Sequence, residues 1–344
     1  MLIFNISIEE QFNIMKKFEM IDEETYKINR LIICSIVFVF QFFGLFGNVN
    51  LIVLTYRKKS LQTKYGLIMV ILAVMHCFCL FFEYFNVGFG IASMYFDYTI
   101  RRNICFYTIF PYIFAHSLQT GTICVLAFDL FLTIAKPIKY RTYQIRYYFP
   151  VIFSPPLFYA LYSIIAGFIF LDDDVIQLCN PPYALVAKIN GQWYILMMTF
   201  TLLTVVFYAF AFGLLFYKVN RNSSDIRLIE RKAMKTLKVL IVIFVLTRLI
   251  TTFLLNILSY IGIDKEVITL AQSYNIVGGL IGYSQNAYVC YFRSTEYRSL
   301  FIEQITKLSP AVGKHLSKKE TSMRVTTKWQ HSQVSSMHIP HVEK

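Results

Sequence analysis

The side chains able to do chemistry in this chain are few, and most stand in apolar surroundings. Glu83 lies in the run Cys79-Leu80-Phe81-Phe82-Glu83-Tyr84-Phe85, Asp129 in Leu126-Ala127-Phe128-Asp129-Leu130, and Arg248 in Val245-Leu246-Thr247-Arg248-Leu249-Ile250. No His/Cys/Asp/Glu group has the spacing of a metal site, no glycine loop opens a helix after a strand, and no nucleophile has an evident base. An enzyme, a metal site and a cofactor are therefore not expected. What remains is recognition by charge and hydrogen bonding, because an ionisable group inside an apolar segment needs a partner or a wet cavity. On insertion scales an Arg at mid-helix costs about 2.5–3.5 kcal/mol. Arg248 either faces an internal cavity and draws an acidic ligand or polar network, or is satisfied by aromatic faces, backbone carbonyls and water. Glu83 is either a pocket group or a carboxylate snorkelling to water.

The elements that must position these residues are helices. The 344-residue chain is 56% hydrophobic and 17% aromatic, with a mean hydropathy of +0.53, more apolar than one soluble core requires. Seven apolar stretches, residues 31–55, 65–85, 105–134, 148–170, 193–217, 236–260 and 267–292, each reach the roughly 20 residues that span hydrocarbon. Spans must close their backbone hydrogen bonds internally, so the expected fold is an all-α membrane protein, a single seven-helix bundle over 31–292. Residues 1–30 read as an outer N-terminal segment, 293–308 as an amphipathic juxtamembrane helix on the inner leaflet, and 309–344 as a polar, disordered inner tail.

Orientation follows from Lys and Arg in the short loops. The odd loops carry Arg57, Lys58, Lys59 and Lys64, then Lys136, Lys139, Arg141 and Arg146, then Lys218, Arg221, Arg227, Arg231, Lys232, Lys235 and Lys238; the even loops carry only Arg101, Arg102, Lys188 and Lys265. The odd loops and C-terminus are thus expected in the cytoplasm and the N-terminus outside. The net charge of +13 is then mostly a cytoplasmic-face charge drawn to anionic lipid, and nucleic acid need not be invoked. The acidic residues before the first apolar run do not form a cleavable signal, so the first helix is expected to direct its own insertion. Asn5-Ile6-Ser7 is a glycan acceptor on the outer side and Asn222-Ser223-Ser224 one on the inner side. Five of seven cysteines fall inside helices, whereas Cys105 and Cys179 face the oxidising side. These two read as a disulfide tying the second outer loop over the bundle mouth, or as two unpaired loop thiols.

Gly47-Asn48, Leu72-Ala73, Cys105, Asp129 followed by Pro137-Ile138-Lys139-Tyr140, and Asn286 resemble the rhodopsin-like G-protein-coupled receptor framework. Residues 58–64 (Lys-Lys-Ser-Leu-Gln-Thr-Lys), His76-Cys77-Phe78-Cys79, Phe170-Leu171-Asp172-Asp173-Asp174, Cys179-Asn180-Pro181-Pro182, Tyr283-Ser284-Gln285-Asn286 and Ser294-Thr295-Glu296-Tyr297-Arg298 resemble the nematode serpentine chemoreceptors of class SX (Srsx), over about residues 44–301. The resemblance implies a plasma-membrane chemosensory receptor, in a sensory neuron, that binds a small environmental chemical and couples to a heterotrimeric G protein, alone or as a dimer. A ligand-gated seven-helix channel of opposite orientation, or a transporter, is the alternative.

Under that resemblance Asn48, His76, Gln119 and Asn286 meet at mid-bundle, either as hydrogen-bonded glue between helices or as a pH-responsive network. Asp129 holds the inactive state by hydrogen bonding to the second inner loop, where Lys139, Tyr140 and Arg141 are available, or is an ordinary helix-end charge. Arg231, Lys232 and Lys235 lie on the G-protein face. The chain also departs from the framework. Leu130 replaces the Arg expected after Asp129, His76 replaces a sodium-binding Asp, and Ala287 follows Asn286 in place of Pro. Tyr112 stands where amine receptors carry an Asp, which disfavours an amine ligand. Phe85, Phe106, Tyr107, Phe110, Phe114 and Trp193 suit a largely apolar ligand held by polar anchors at Glu83, Tyr112 and Arg248, though most of these aromatics read as packing or as the interfacial aromatic belt.

Overall fold

Backbone N–H and C=O groups inside hydrocarbon have no water to bond, and this chain meets that constraint with long helices. The computed structural model describes residues 23–96, 99–176, 179–221, 265–293 and 295–311, with isolated positions between 239 and 261 and at 315. In chain order these residues form α1 (Glu23–Arg57), a short 3-10 turn (Lys59–Leu61), α2 (Lys64–Phe96), β1 (Ile100–Arg101) and α3 (Arg102–Ala135). There follow α4 (Pro137–Thr142), α5 (Ile145–Ile169), β2 (Val175–Ile176), α6 (Pro181–Ala184), α7 (Ala187–Arg221), α8 (Lys265–Arg293) and α9 (Thr295–Leu308).

Among the described residues, five helices are long and apolar enough to cross a membrane: α1, α2, α3, α5 and α7. The sixth expected span falls almost wholly outside the described residues. The seventh corresponds to α8, which has the length but carries Gln272, Ser273, Asn275, Ser284, Gln285 and Asn286 and is correspondingly less apolar. The helices also overrun the spans read from hydropathy: α1 begins at Glu23 and α2 continues to Phe96. Polarity ends an apolar run, but a helix ends only where backbone geometry or a breaker ends it, and neither intervenes at Phe85 or Leu31. Residues 23–30 are accordingly helical. Of the tail beyond 308, all but residues 309–311 and 315 lies outside the described residues.

The solvation of the bundle is inverted relative to a water-soluble domain. Phe38, Phe42, Val151, Phe158 and Ile195 point outward, whereas Gln41, Asn48, His76, Glu83, Gln119 and Asp129 are buried. Large apolar side chains on the outside, with amides and carboxylates inside, fit a hydrocarbon solvent. α3 is the hub, packing against α2, α5, α6 and α7. Close approach to α5 depends on Gly121, where a Cβ would fall 2.6 Å from the Cβ of Pro156 and 2.9 Å from its Cα. Small residues let membrane helices approach closely and gain dispersion contacts in place of a hydrophobic drive. Buried hydrogen bonds then fix the register. Trp193 of α7 donates its indole N–H to Ser117 Oγ (2.9 Å), and Tyr159 of α5 donates to the Trp193 carbonyl (3.1 Å). Ser117 and Ser163 hydroxyls meet at 3.3 Å.

One end of the bundle is covered by the segment between α5 and α7. Its β2 pairs antiparallel with β1, Ile100 opposite Ile176 and Arg101 opposite Val175. The acidic run matches the arginine pair: Arg101 binds Asp173, and Arg102 binds Asp172 and, at 3.3 Å, Asp174. The Cys105–Cys179 disulfide is formed, with Cα atoms 5.5 Å apart, so the alternative of two loop thiols does not hold. Asn180 caps α6 by accepting from the Tyr183 N–H at 3.2 Å. α9, in a unit of its own with the last turn of α8, buries Phe301 and Ile302 and exposes Glu303 and Lys307.

Gly121→Ala should destabilise the bundle, since its methyl group meets proline backbone that cannot rotate away; overpacking of this kind costs about 1–3 kcal/mol. Nothing lies within 4 Å of a Cβ built on Gly88, which makes Gly88→Ala the control. Melting of the full chain in lipid nanodiscs should fall by several degrees for the first variant and be unchanged or slightly raised for the second.

Candidate functional site

At the disulfide end of the bundle, Glu83 of α2 is only 2% exposed. It does not reach solvent, and the snorkelling alternative is thereby corrected: its carboxylate turns inward to α3 and the neighbouring turn of α2. Tyr112 donates its hydroxyl to Glu83 Oε1, and Asn86, one turn along α2, donates its amide to Oε2 at 3.0 Å. Phe82 stacks against the Tyr112 ring, centroids 6.3 Å apart and planes within 9°. His116, one turn along α3, meets Tyr112 at 6.1 Å, Trp193 at 5.3 Å and Tyr283 at 6.4 Å. Tyr112, which stands where amine receptors carry an Asp, thus contacts a carboxyl group contributed by α2.

The other outer aromatics divide. Phe106 packs under Gly167, Trp193 is buried, and Phe85 and Tyr107 are exposed to the bundle's surroundings. Arg248, the third expected anchor, lies outside the described residues.

Toward the middle, Asn286 of α8 and His76 of α2 are in contact, Nδ2 to Nδ1 3.3 Å. Asn48 of α1 donates to the carbonyls of Gly44 (2.9 Å) and Tyr283 (2.8 Å), and the His76 and Tyr283 rings lie 5.6 Å apart. Three of the four expected residues are thus linked, with the Tyr283 backbone as the connector. Gln119 is fully buried but does not join them; neither of its amide atoms has a hydrogen-bond partner among the described residues. The sequence reading missed Asn86, His116 and the Ser117–Trp193–Ser163 group. For Asn86 a signal existed, since a polar residue three positions after Glu83 shares its helix face.

At the opposite end, Asp129 is 1% exposed. Its Oδ1 accepts from Tyr140 Oη and from Tyr148 Oη, each at 2.8 Å. Lys64, opening α2, donates to the Tyr140 carbonyl at 2.5 Å and stands 4.3 Å over the Tyr140 ring and 5.4 Å from that of Tyr148. Tyr143 stacks on Tyr148. Burial, and then the hydrogen bond to Asp129, raise the Tyr140 phenol well above its ordinary range, so it remains a donor at neutral pH. Lys139 is exposed and its carbonyl receives Thr142 Oγ1; the neighbouring cation is Lys64 instead, because α2 starts beside α4. Leu130, in place of an arginine, packs with Ala127, Tyr208, Ala211 and Leu215 between α3 and α7. Lys218 of α7 donates to the Ile134 carbonyl at 2.7 Å. Arg231, Lys232, Lys235, Asn5 and Asn222 lie outside the described residues.

Asn48→Ala should remove the link from α1 to the Tyr283 carbonyl and lower stability by about 1–2 kcal/mol. Ser154→Ala, on the exposed face of α5 where the hydroxyl bonds only its own helix, should leave melting of the purified chain unchanged.

No curated protein matches this chain. The protein-family model described as the serpentine type 7TM GPCR chemoreceptor Srsx matches residues 41–305, from α1 through most of α9. That match covers most of the 344 residues, including the inward-facing polar groups, the disulfide and the Asp129 cluster. The chain belongs to the Srsx family of serpentine seven-transmembrane G-protein-coupled chemoreceptors, and is a multi-pass membrane protein.

Proposed function

We propose that this receptor sits in the plasma membrane of a sensory cell with its N-terminus outside, binds a small environmental chemical between Glu83, Tyr112 and Arg248, and activates a heterotrimeric G protein. The observation that carries the signalling half of the reading is the Asp129 cluster. A buried carboxylate held by two tyrosine hydroxyls from α4 and α5 is a contact that either persists or opens, and Lys64 stands over both tyrosine rings. In this chain the cluster does the work of the missing arginine. Tyrosine donors restrain Asp129 in the resting state, and Leu130 packs α3 against α7. Ligand binding would shift α3, release Asp129 and present the second inner loop together with Arg231, Lys232 and Lys235 to the G protein. Membrane lipids would contact α9 and the basic inner face. A channel or transporter reading finds less support, because the family is one of G-protein-coupled receptors.

A hydrogen bond to a charged group is worth about 1.5–3 kcal/mol, so loss of one of the two donors should raise the active population about tenfold. Tyr148→Phe should therefore increase basal nucleotide exchange on at least one G-protein α family when the full chain is reconstituted in nanodiscs. Lys232→Ala together with Lys235→Ala should abolish that increase. Exchange equal to that of empty nanodiscs for every variant and every α family would contradict the reading.

A further inference from the structure

Glu83 is a buried acidic group whose hydrogen-bond partners are both neutral. Both of its oxygens are in hydrogen-bond contact, one with the Tyr112 hydroxyl and one with the Asn86 amide. Both donors are neutral, and no Lys, Arg or His forms an ion pair with Glu83 among the described residues. The group is 2% exposed, inside a membrane bundle. A carboxyl buried in this way ionises only when a cation stands beside it, so an arriving positive charge would find in Glu83 a partner that no described residue occupies. Aromatic side chains pack beside the carboxyl group. Phe82 and Tyr112 lie parallel, and His116 connects Tyr112 to Trp193 and Tyr283. Ring faces beside a carboxylate attract an organic ammonium by cation–π and charge together. Asn86 is only partly buried and lies one turn nearer the disulfide end, so the carboxylate is one polar side chain away from the mouth of the bundle.

We infer that the ligand class of this receptor is a protonated aryl or alkyl amine, with Glu83 as its counter-ion and the Phe82, Tyr112 and His116 rings as its walls. This rests on the reading of the disulfide end as the ligand site, and names its chemistry. Tyr112 positions the carboxylate, and Asn86 holds the second oxygen until the ammonium donates to it.

The test uses three probes of one shape: 2-phenylethylamine, 2-phenylethanol and phenylacetate. Their effect on melting of the full chain in nanodiscs is independent of G-protein coupling. The amine should stabilise the chain saturably and the alcohol and acid should not. Glu83→Gln, isosteric and uncharged, should weaken the amine roughly tenfold or more while leaving the unliganded chain folded. Glu83→Asp should recover part of the affinity. Tyr112→Phe, which keeps the carboxylate but frees it to turn, should weaken the amine less than Glu83→Gln does. Equal stabilisation by amine and alcohol, no stabilisation by the amine at millimolar concentration, or an unchanged amine affinity in Glu83→Gln would each overturn the inference. So would a double-mutant cycle in which Arg248→Ala destabilises the chain only when Glu83 is present, since that would make Arg248 the counter-ion. A failure of G-protein exchange with amine stabilisation intact would count against the coupling reading alone.

Discussion

A polar group placed in hydrocarbon has to find its partner within the protein, and the organisation of this receptor follows from that constraint. The backbone satisfies it by forming helices. The side chains satisfy it by turning inward, so Asn48 binds carbonyls of α1 and α8, His76 meets Asn286, and Trp193 finds Ser117. The outer faces are left to phenylalanine, valine and isoleucine. With no hydrophobic drive between helices in lipid, these inward bonds and the close approach at Gly121 set which helices touch and in what register.

α3 collects most of these contacts and also carries a buried polar cluster toward each end. Near one end Tyr112 holds a carboxylate contributed by α2; at the other Asp129 is held by tyrosines from α4 and α5. Between them the helix is wedged against α5 by Gly121 and against α7 by Leu130 and its neighbours. The proposed coupling would therefore run along α3, from the Glu83–Tyr112 contact to the Asp129 cluster.

The sequence exposed some of this and concealed the rest for identifiable reasons. Apolar run length located α1, α2, α3, α5 and α7, because hydrocarbon thickness sets a minimum that the composition must meet. It missed their ends, because α2 continues past Phe85 and α1 starts before Leu31 once there is no residue to stop them. The lone pair of outward cysteines pointed to the disulfide. Tyr140 was legible as a partner for Asp129 because both lie within eleven positions around one helix end. Tyr148 and Lys64 were not, since they arrive on other helices. The Glu83–Tyr112 pair spans 29 positions and two helices, a separation at which residue type alone cannot choose between an inward carboxylate and one reaching for water. Gln119 was placed in the central cluster by the family resemblance alone, and a resemblance of position along a helix does not fix what a side chain contacts.

The orientation of the chain underlies both the ligand reading and the coupling reading, and it can be measured alone. Asp173→Cys, beside β2, and Lys139→Cys, exposed on α4, would be labelled on intact cells with a membrane-impermeant maleimide, before and after permeabilisation, against the unsubstituted chain. The account predicts that the first is labelled on intact cells and the second only after permeabilisation. Labelling of Lys139→Cys on intact cells, with Asp173→Cys protected, would place the disulfide end inside the cell and contradict it.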